Sequence, residues 1–381
     1  MHVLFLMLSA QGHVNPSLAI TRALVGQGAR VTHVLPPSFE RAVTDAGATF
    51  RLLPDSLDIG GHLLGAGQVD LGRMLPSLLK FMGSRQRSVR ALAPVIAADP
   101  PDLIVYDSMC AWGGALASHS GVRAATLSTT FALRPGTPTV QRIASSLPMF
   151  VPKSMLNVLM SEEALNLVTV PRAFQPDAAA FDARYAFVGP CLAPRGDAGN
   201  FPLEQLQNGL LYISLGTTPL NDNPAFFRAC FEAFGNQERQ VVLSSGRAEL
   251  SDAPENFIVR PFVPQLEVLE RAGLFITHGG MNSMMEALSL GVPLVAVPQG
   301  LDQHVTAERM VELGLGVALE PTEVTAATLR AAVDRVSSDA QRPTHLSAMQ
   351  HAIHTAGGAS QAAEVLTRYA GREPVVDGGR S

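Results

Sequence analysis

Two β-rich runs separated by one helix dictate how this chain begins to fold. Residues 3–8 are wholly apolar and residues 31–35 are rich in Val and Leu. Between them, Asn15 can cap a helix, Pro16 suits its first turn, residues 18–25 continue it and Gly28 ends it. Gln11-Gly12-His13-Val14 then reads as the loop after the first strand. Strand, helix and strand at this spacing open a parallel sheet, because parallel neighbours need a crossover connection. The alternation continues with strand 103–106, helix 111–119 and strand 124–127. It restarts further on, with strands at 210–214, 241–243, 258–259, 274–277, 294–297 and 317–319 and helices at 224–234, 281–290 and 305–313. Helices 326–336, 343–355 and 360–369 follow, and residues 372–381 read as a disordered polar tail. The expected fold class is α/β, with two doubly wound parallel sheets.

The break between the two series is expected at residues 190–202, which carry Pro, Gly, Asp and Asn and few large apolar side chains. A length of 381 residues and a hydrophobic content of 47% suit two cores. The net charge is −5 and no basic run occurs, which argues against nucleic acid as a partner. Cys110, Cys191 and Cys230 are odd in number and far apart, the pattern of a reducing, cytoplasmic setting. No stretch approaches the roughly 20 apolar residues of a membrane helix, and residues 1–8 lack the basic start and cleavage site of a signal peptide. Ser9-Ala10-Gln11-Gly12-His13 is not the glycine fingerprint of a dinucleotide site, so nicotinamide chemistry has little support. Within 57–88, Met74, Leu75, Leu78, Leu79 and Met82 fall on one helical side, a stripe that reads as core. Residues 146–160 read equally as an apolar lip over a pocket and as a core-covering segment.

The chemistry concentrates around His278-Gly279-Gly280-Met281-Asn282-Ser283. A short buried strand, a glycine turn and a helix in that order place unpaired N–H groups and a positive dipole end at a strand's carboxyl end. Such a helix start accommodates a phosphate or diphosphate, although a glycine turn alone is equally an ordinary strand-to-helix connection. Upstream lies Phe262-Val263-Pro264-Gln265-Leu266-Glu267-Val268-Leu269, and downstream lie Glu286 and Pro298-Gln299-Gly300-Leu301-Asp302-Gln303. The combined pattern resembles the donor-binding signature of family 1 glycosyltransferases, which include the bacterial macrolide and natural-product enzymes and the plant secondary-product enzymes. Gln11-Gly12-His13-Val14-Asn15-Pro16 resembles the family's loop bearing the catalytic base, and residues 102–109 resemble the segment bearing its supporting aspartate, here Asp107.

The resemblance implies the GT-B fold: two Rossmann-like domains facing across a cleft, with the last helix crossing back onto the first. The expected bounds are 1–190 for an acceptor-binding domain, 191–204 for a linker, 205–356 for a nucleotide-sugar-binding domain, 357–370 for the returning helix and 371–381 for the tail. It implies His13 as general base oriented by Asp107. Phe262 would stack beside the nucleotide base, which Val263 and Gln265 would also meet. Glu286 would accept from the ribose hydroxyls. Thr217, His278, Gly280, Asn282 and Ser283 would hold the diphosphate, and Asp302 and Gln303 the transferred sugar. The capping of a helix by Asp302 is a second reading compatible with that role. Phe262 and Gly279 depart from the plant Trp and Cys, and Thr218-Pro219-Leu220 is an unfamiliar continuation after Thr217.

The implied reaction is inverting transfer of a sugar from UDP-glucose, or alternatively from a dTDP-deoxysugar, onto a hydroxyl of a hydrophobic natural product. No cofactor is expected, and no metal, since no D-x-D or zinc-ligand spacing occurs. The protein would act as a monomer or homodimer. Rival readings are a nucleotide-sugar epimerase or hydrolase, which would need several acidic residues in the cleft, and a non-catalytic binding protein, against which His13 and Asp107 both stand.

Overall fold

The computed structural model describes residues 1–57, 84–146, 160–192, 201–216, 223–246, 248 and 250–371. Two parallel sheets carry the chain. The first contains β1 (His2–Leu6), β2 (Arg30–Leu35), β3 (Thr49–Leu52), β4 (Leu103–Asp107), β5 (Ala124–Ser128), β6 (Asn166–Val168) and β7 (Tyr185–Phe187), in the order β3-β2-β1-β4-β5-β6-β7. The second contains β8 (Leu210–Ser214), β9 (Val241–Ser244), β10 (Phe257–Arg260), β11 (Ala272–Thr277), β12 (Leu294–Ala296) and β13 (Gly316–Ala318), in the order β10-β9-β8-β11-β12-β13. The described helices are α1 (Gln11–Gly26), α2 (Glu40–Asp45), α3 (Ser84–Ala98), α4 (Ala111–Ser120), α5 (Pro138–Ser146), α6 (Pro224–Phe234), α7 (Gln265–Leu269), α8 (Met281–Ser289), α9 (Leu301–Glu312), α10 (Ala326–Ser338), α11 (Arg342–Ala356) and α12 (Gly358–Ala370).

Both sheets reverse their winding direction at one place. In the first, β1 lies between β2 and β4; in the second, β8 lies between β9 and β11. Loops leaving two adjacent strands in opposite directions open a crevice there, the usual ligand position in doubly wound sheets. The strands beside each reversal are fully buried, as sheets covered on both faces demand.

The helix after β1 starts earlier than Asn15 and Pro16 suggest. It begins at Gln11, with Ala10 in extended conformation before it and no side-chain cap, and Pro16 lies inside it. Residues 11–14 are therefore its first turn, not a loop. Short β3, β6 and β7 and helices α2 and α7 are too brief for a pattern to stand out in the sequence, and α5 is not anticipated there although it is amphipathic. The stripe at Met74–Met82, the linker's residues 193–200, most of the 146–160 segment and the tail from 372 lie outside the described residues.

The last helix returns to the first sheet. Ala362, Ala363 and Leu366 of α12 are buried in the core that holds Val3, Phe5, Ile20 and Leu24. The Gly358 N–H donates to the Val188 carbonyl at 2.7 Å, and Tyr369 Oη donates to the Ala124 carbonyl at 3.1 Å. A second apolar core is continuous between the halves, joining Phe131, Phe174 and Tyr185 to Tyr212, Phe275 and Met284. Helix α9 adds polar ties: Arg309 donates to the carbonyls of Phe174 at 3.0 Å and Ala173 at 3.1 Å, and Glu308 accepts from Arg142 at 2.6 Å.

Candidate active site

At the reversal point of the first sheet, α1 starts just beyond β1 and raises His13 from its first turn. Asp107 is the last residue of β4, the neighbouring strand, and is 1% exposed. Its Oδ2 lies 2.7 Å from His13 Nδ1, while its Oδ1 accepts the Met109 N–H at 2.8 Å. Both carboxylate oxygens are thus engaged, which fixes the direction of the group. Thr129, buried just beyond β5, places its hydroxyl 3.0 Å from the same Nδ1. Sequence reasoning missed Thr129; its position beyond the next strand of the same rim is the signal that would have found it. With Nδ1 turned to the carboxylate, Nε2 carries the free lone pair. Burial lowers the His13 pKa, but the Asp107 charge and hydrogen bond, with a contribution from Asp302, leave it raised above the ordinary histidine value.

At the reversal point of the second sheet, β11 runs into Thr277 and His278. Gly279 adopts φ 82°, where a side chain would be strained, and Gly280 precedes the helix in extended conformation. A Cβ on Gly280 would strike the His278 ring, so the close turn requires glycine. No side chain caps α8 and none in its first turn is acidic, leaving the helix start open to an anion. Burial pushes the His278 pKa down to about 4, so this imidazole is neutral near pH 7 and offers a hydrogen bond rather than a charge.

Gln265, Ser283 and Glu286 form one hydrogen-bonded chain. Gln265 Nε2 donates to Ser283 Oγ at 3.1 Å and to Glu286 Oε2 at 2.5 Å, and its Oε1 accepts from Tyr212 Oη at 3.1 Å. Ser283 and Glu286 are three apart on α8 and therefore share a face. The Gln265 side chain is thus turned to Glu286, which it orients. Phe262 is 67% exposed after β10, a flat apolar face open to stacking, while Val263 packs half-buried against the core. Asp302 is not the cap of α9: Gly300 is, and Asp302 is exposed in the first turn, where its charge complements the helix dipole. Gln303 Oε1 accepts the Gln299 N–H at 2.8 Å. Thr217 lies outside the described residues.

The two rims meet. Asn282 Nδ2 donates to the Gly12 carbonyl at 2.8 Å, linking the start of α8 to the turn that carries His13. The influence of Asp302 on His13 reports the same convergence. The structure therefore gathers a buried acid–base pair, an open helix start and a polar chain on α8 around one crevice.

Comparison with known proteins places the whole chain beside glycosyltransferases. Residues 229–367 match the erythromycin biosynthesis protein CIII-like C-terminal domain. The chain is 37% identical to the NDP-glycosyltransferase YjiC of Bacillus licheniformis over 390 residues, covering 97% of each protein. It is 30% identical to the oleandomycin glycosyltransferase of Streptomyces antibioticus over 409 residues, covering 99% of this chain and 94% of that protein. The crystal structure of the calicheamicin glycosyltransferase CalG4 superposes with a TM-score of 0.83 at 31% identity, covering 98% of this chain and 99% of the other. Two doubly wound sheets, their shared crevice and these full-length similarities agree: the chain belongs to the family 1 glycosyltransferases of the bacterial natural-product type, sugar-nucleotide-dependent enzymes of the GT-B fold.

Proposed function

We propose that this enzyme transfers glucose from UDP-glucose to a hydroxyl of a hydrophobic natural-product acceptor, with inversion at the anomeric carbon and without a metal. The His13–Asp107 pair, 2.7 Å apart at the sheet's reversal point, carries the reading. The acceptor hydroxyl gives its proton to His13 Nε2, Asp107 stabilises the imidazolium that forms, and the oxygen displaces the diphosphate from the opposite face of the sugar. The start of α8 and the neutral His278 receive the charge of the departing diphosphate. On this reading the helix dipole and hydrogen bonds supply that stabilisation.

Glu286, oriented by Gln265, fits a ribose diol, and Asp302 with Gln303 fits a sugar rich in hydroxyls. That combination favours glucose over a deoxysugar and supports UDP as the carrier. On this reading residues 1–190 bind the acceptor, 191–204 link the domains, 205–356 bind the donor and 357–370 return to the first domain. No helix of the described residues is long and apolar enough to cross a membrane.

The test is incubation with UDP-glucose or dTDP-glucose and a panel of phenols and macrolides. A β-glucoside heavier by one hexose, formed with chelator present, is the expected product. An α-glycoside, free glucose without an acceptor, or strict dependence on dTDP-glucose would each displace part of the reading.

A further inference from the structure

The loop after β5 borders His13. Thr129, its first residue, places its hydroxyl 3.0 Å from His13 Nδ1, and Ala132 follows in the same loop, buried. Ala132 belongs to no strand or helix, so its buried N–H and carbonyl need partners from elsewhere. Gln175 supplies both. Its Oε1 accepts the Ala132 N–H at 3.0 Å, and its Nε2 donates to the Ala132 carbonyl at 3.0 Å and to the Pro176 carbonyl at 2.9 Å. Phe131 also stacks on Phe174, with ring centroids 5.6 Å apart. The loop beside His13 is thus moulded on the turn at residues 171–176.

That turn is held by the other half of the chain. Arg309 of α9 donates through Nε to the Phe174 carbonyl at 3.0 Å and through Nη2 to the Ala173 carbonyl at 3.1 Å, while Nη1 donates to Glu312 at 3.0 Å. The first turn of the same helix carries Asp302 and Gln303, the side chains proposed to meet the sugar. Asp302 and Arg309 are two helical turns apart, about 10 Å along one rigid element. We propose that Gln175 is a positioning residue for the transfer, anchored by Arg309: the pair makes the seat of α9 fix the loop that borders His13. Gln175 is 1% exposed and acts through Ala132 and Thr129, not on a substrate. The proposal rests on the reading of His13 as the base.

The effect is one of geometry. A misplacement of about 1 Å between reacting groups costs about a hundredfold in rate. Loosening the loop is therefore expected to lower kcat, while nucleotide affinity, which on this reading belongs to the second sheet's side, is kept.

The experiment compares the wild type with Q175M, which keeps the length of the side chain and deletes its hydrogen bonds, with R309M and with the double variant. Calorimetry with UDP and dTDP gives Kd and the fraction of binding-competent protein, and product formation gives kcat per binding site and donor KM. Nitrogen NMR of histidine-labelled, ligand-free protein reads the His13 ring, identified by its absence from His13→Ala. For Q175M the expected kcat is lowered about ten- to a hundredfold, with nucleotide Kd within about twofold of wild type and the His13 signal displaced. R309M should act in the same direction more weakly. The double variant should fall no more than about twofold below Q175M, because both changes lie on one path. An unchanged kcat, a Kd that weakens in step with kcat/KM, an unmoved His13 signal, or losses that multiply in the double variant would each overturn the proposal. Should Q175M bind no nucleotide, R309M carries the test by the same criteria. His13→Ala with wild-type transfer overturns the functional reading instead, and the His13 signal then still decides whether Gln175 shapes its surroundings.

Discussion

Asp107 reaches His13 with one carboxylate oxygen at 2.7 Å while its other oxygen is held by the Met109 N–H at 2.8 Å. The carboxylate is anchored by the backbone of its own loop and so dictates which nitrogen of the imidazole stays basic. Replacing His13 with Ala removes the proposed base but leaves the side chains of α8 in place. Transfer to hydroxyl acceptors should fall by roughly 10²–10⁴-fold. Calorimetry with UDP should show nucleotide binding essentially unchanged.

The raised pKa of His13 has a direction that can be tested. On the proposed mechanism the working base is the neutral imidazole, so kcat/KM should climb with pH through a value above the ordinary 6.5 of histidine. Asp107→Asn removes the charge that raises it. The acid limb of the pH profile should move to lower pH even as the plateau drops, because the imidazolium formed during transfer loses its counter-charge. Asp302→Asn should move the limb the same way by less. The stability contribution has the opposite dependence: protonated His13 paired with Asp107 stabilises the fold fully below about 6.5, and this is lost as pH rises through the raised value. Initial rates across a pH series for the three proteins check this.

On the proposed reading Tyr212 acts on the donor through Gln265, whose Oε1 accepts its hydroxyl. Tyr212→Phe deletes the hydroxyl that donates to Gln265 Oε1 and leaves the ring stacked on Phe275, centroids 4.5 Å apart. Gln265 then holds Glu286 less firmly. The donor KM is expected to rise several-fold, corresponding to roughly 1 kcal/mol, with kcat little altered. Glu286→Ala, which removes the proposed ribose acceptor itself, should raise it further. Equal donor KM values for wild type and both variants would exclude this relay.

His33 predicts how the fold responds to acid. Its ring is buried, stacks on Phe5 with centroids 4.8 Å apart, and has its pKa pushed down to about 3 by burial. In the unfolded chain it titrates near 6.5, so the folded state resists a proton that the unfolded state accepts. Stability is complete above that value and declines as pH falls from about 6.5 toward 3, by up to about 1.4 kcal/mol per pH unit from this residue. His278, held at about 4, adds a loss of the same sign. Urea unfolding at pH 7 and pH 5 should show the decline, and His33→Leu should flatten part of it.

Much of this arrangement is legible in the chain because β1, β4, β8 and β11 are apolar and end abruptly in polar residues. Asp107 and His278 stand at such ends, and the Gly279–Gly280 turn marks the helix start beside them. What stayed hidden depends on distant partners. Asn15 and Pro16 satisfy the local rules for a helix start, yet α1 opens at Gln11, where the carbonyl left free by the proline is met by Asn282 across 270 positions of sequence. Gln265 reads as a contact to the nucleotide, but folding turns its amide to Glu286, a neighbour no periodicity reveals. Thr129 is one hydroxyl among many until β5 lies beside β4. Strands β6 and β7 have three residues each and take their conformation from the sheet edge they extend.

The returning helix has a consequence for the enzyme's birth. Ala362, Ala363 and Leu366 fill the core beneath α1, so the first half cannot close its interior until residues 358–370 have left the ribosome. The N-terminal lobe thus depends on a helix made after the whole of the second sheet, and a polypeptide cut short ahead of Gly358 would lack the inner wall that seats the helix carrying His13.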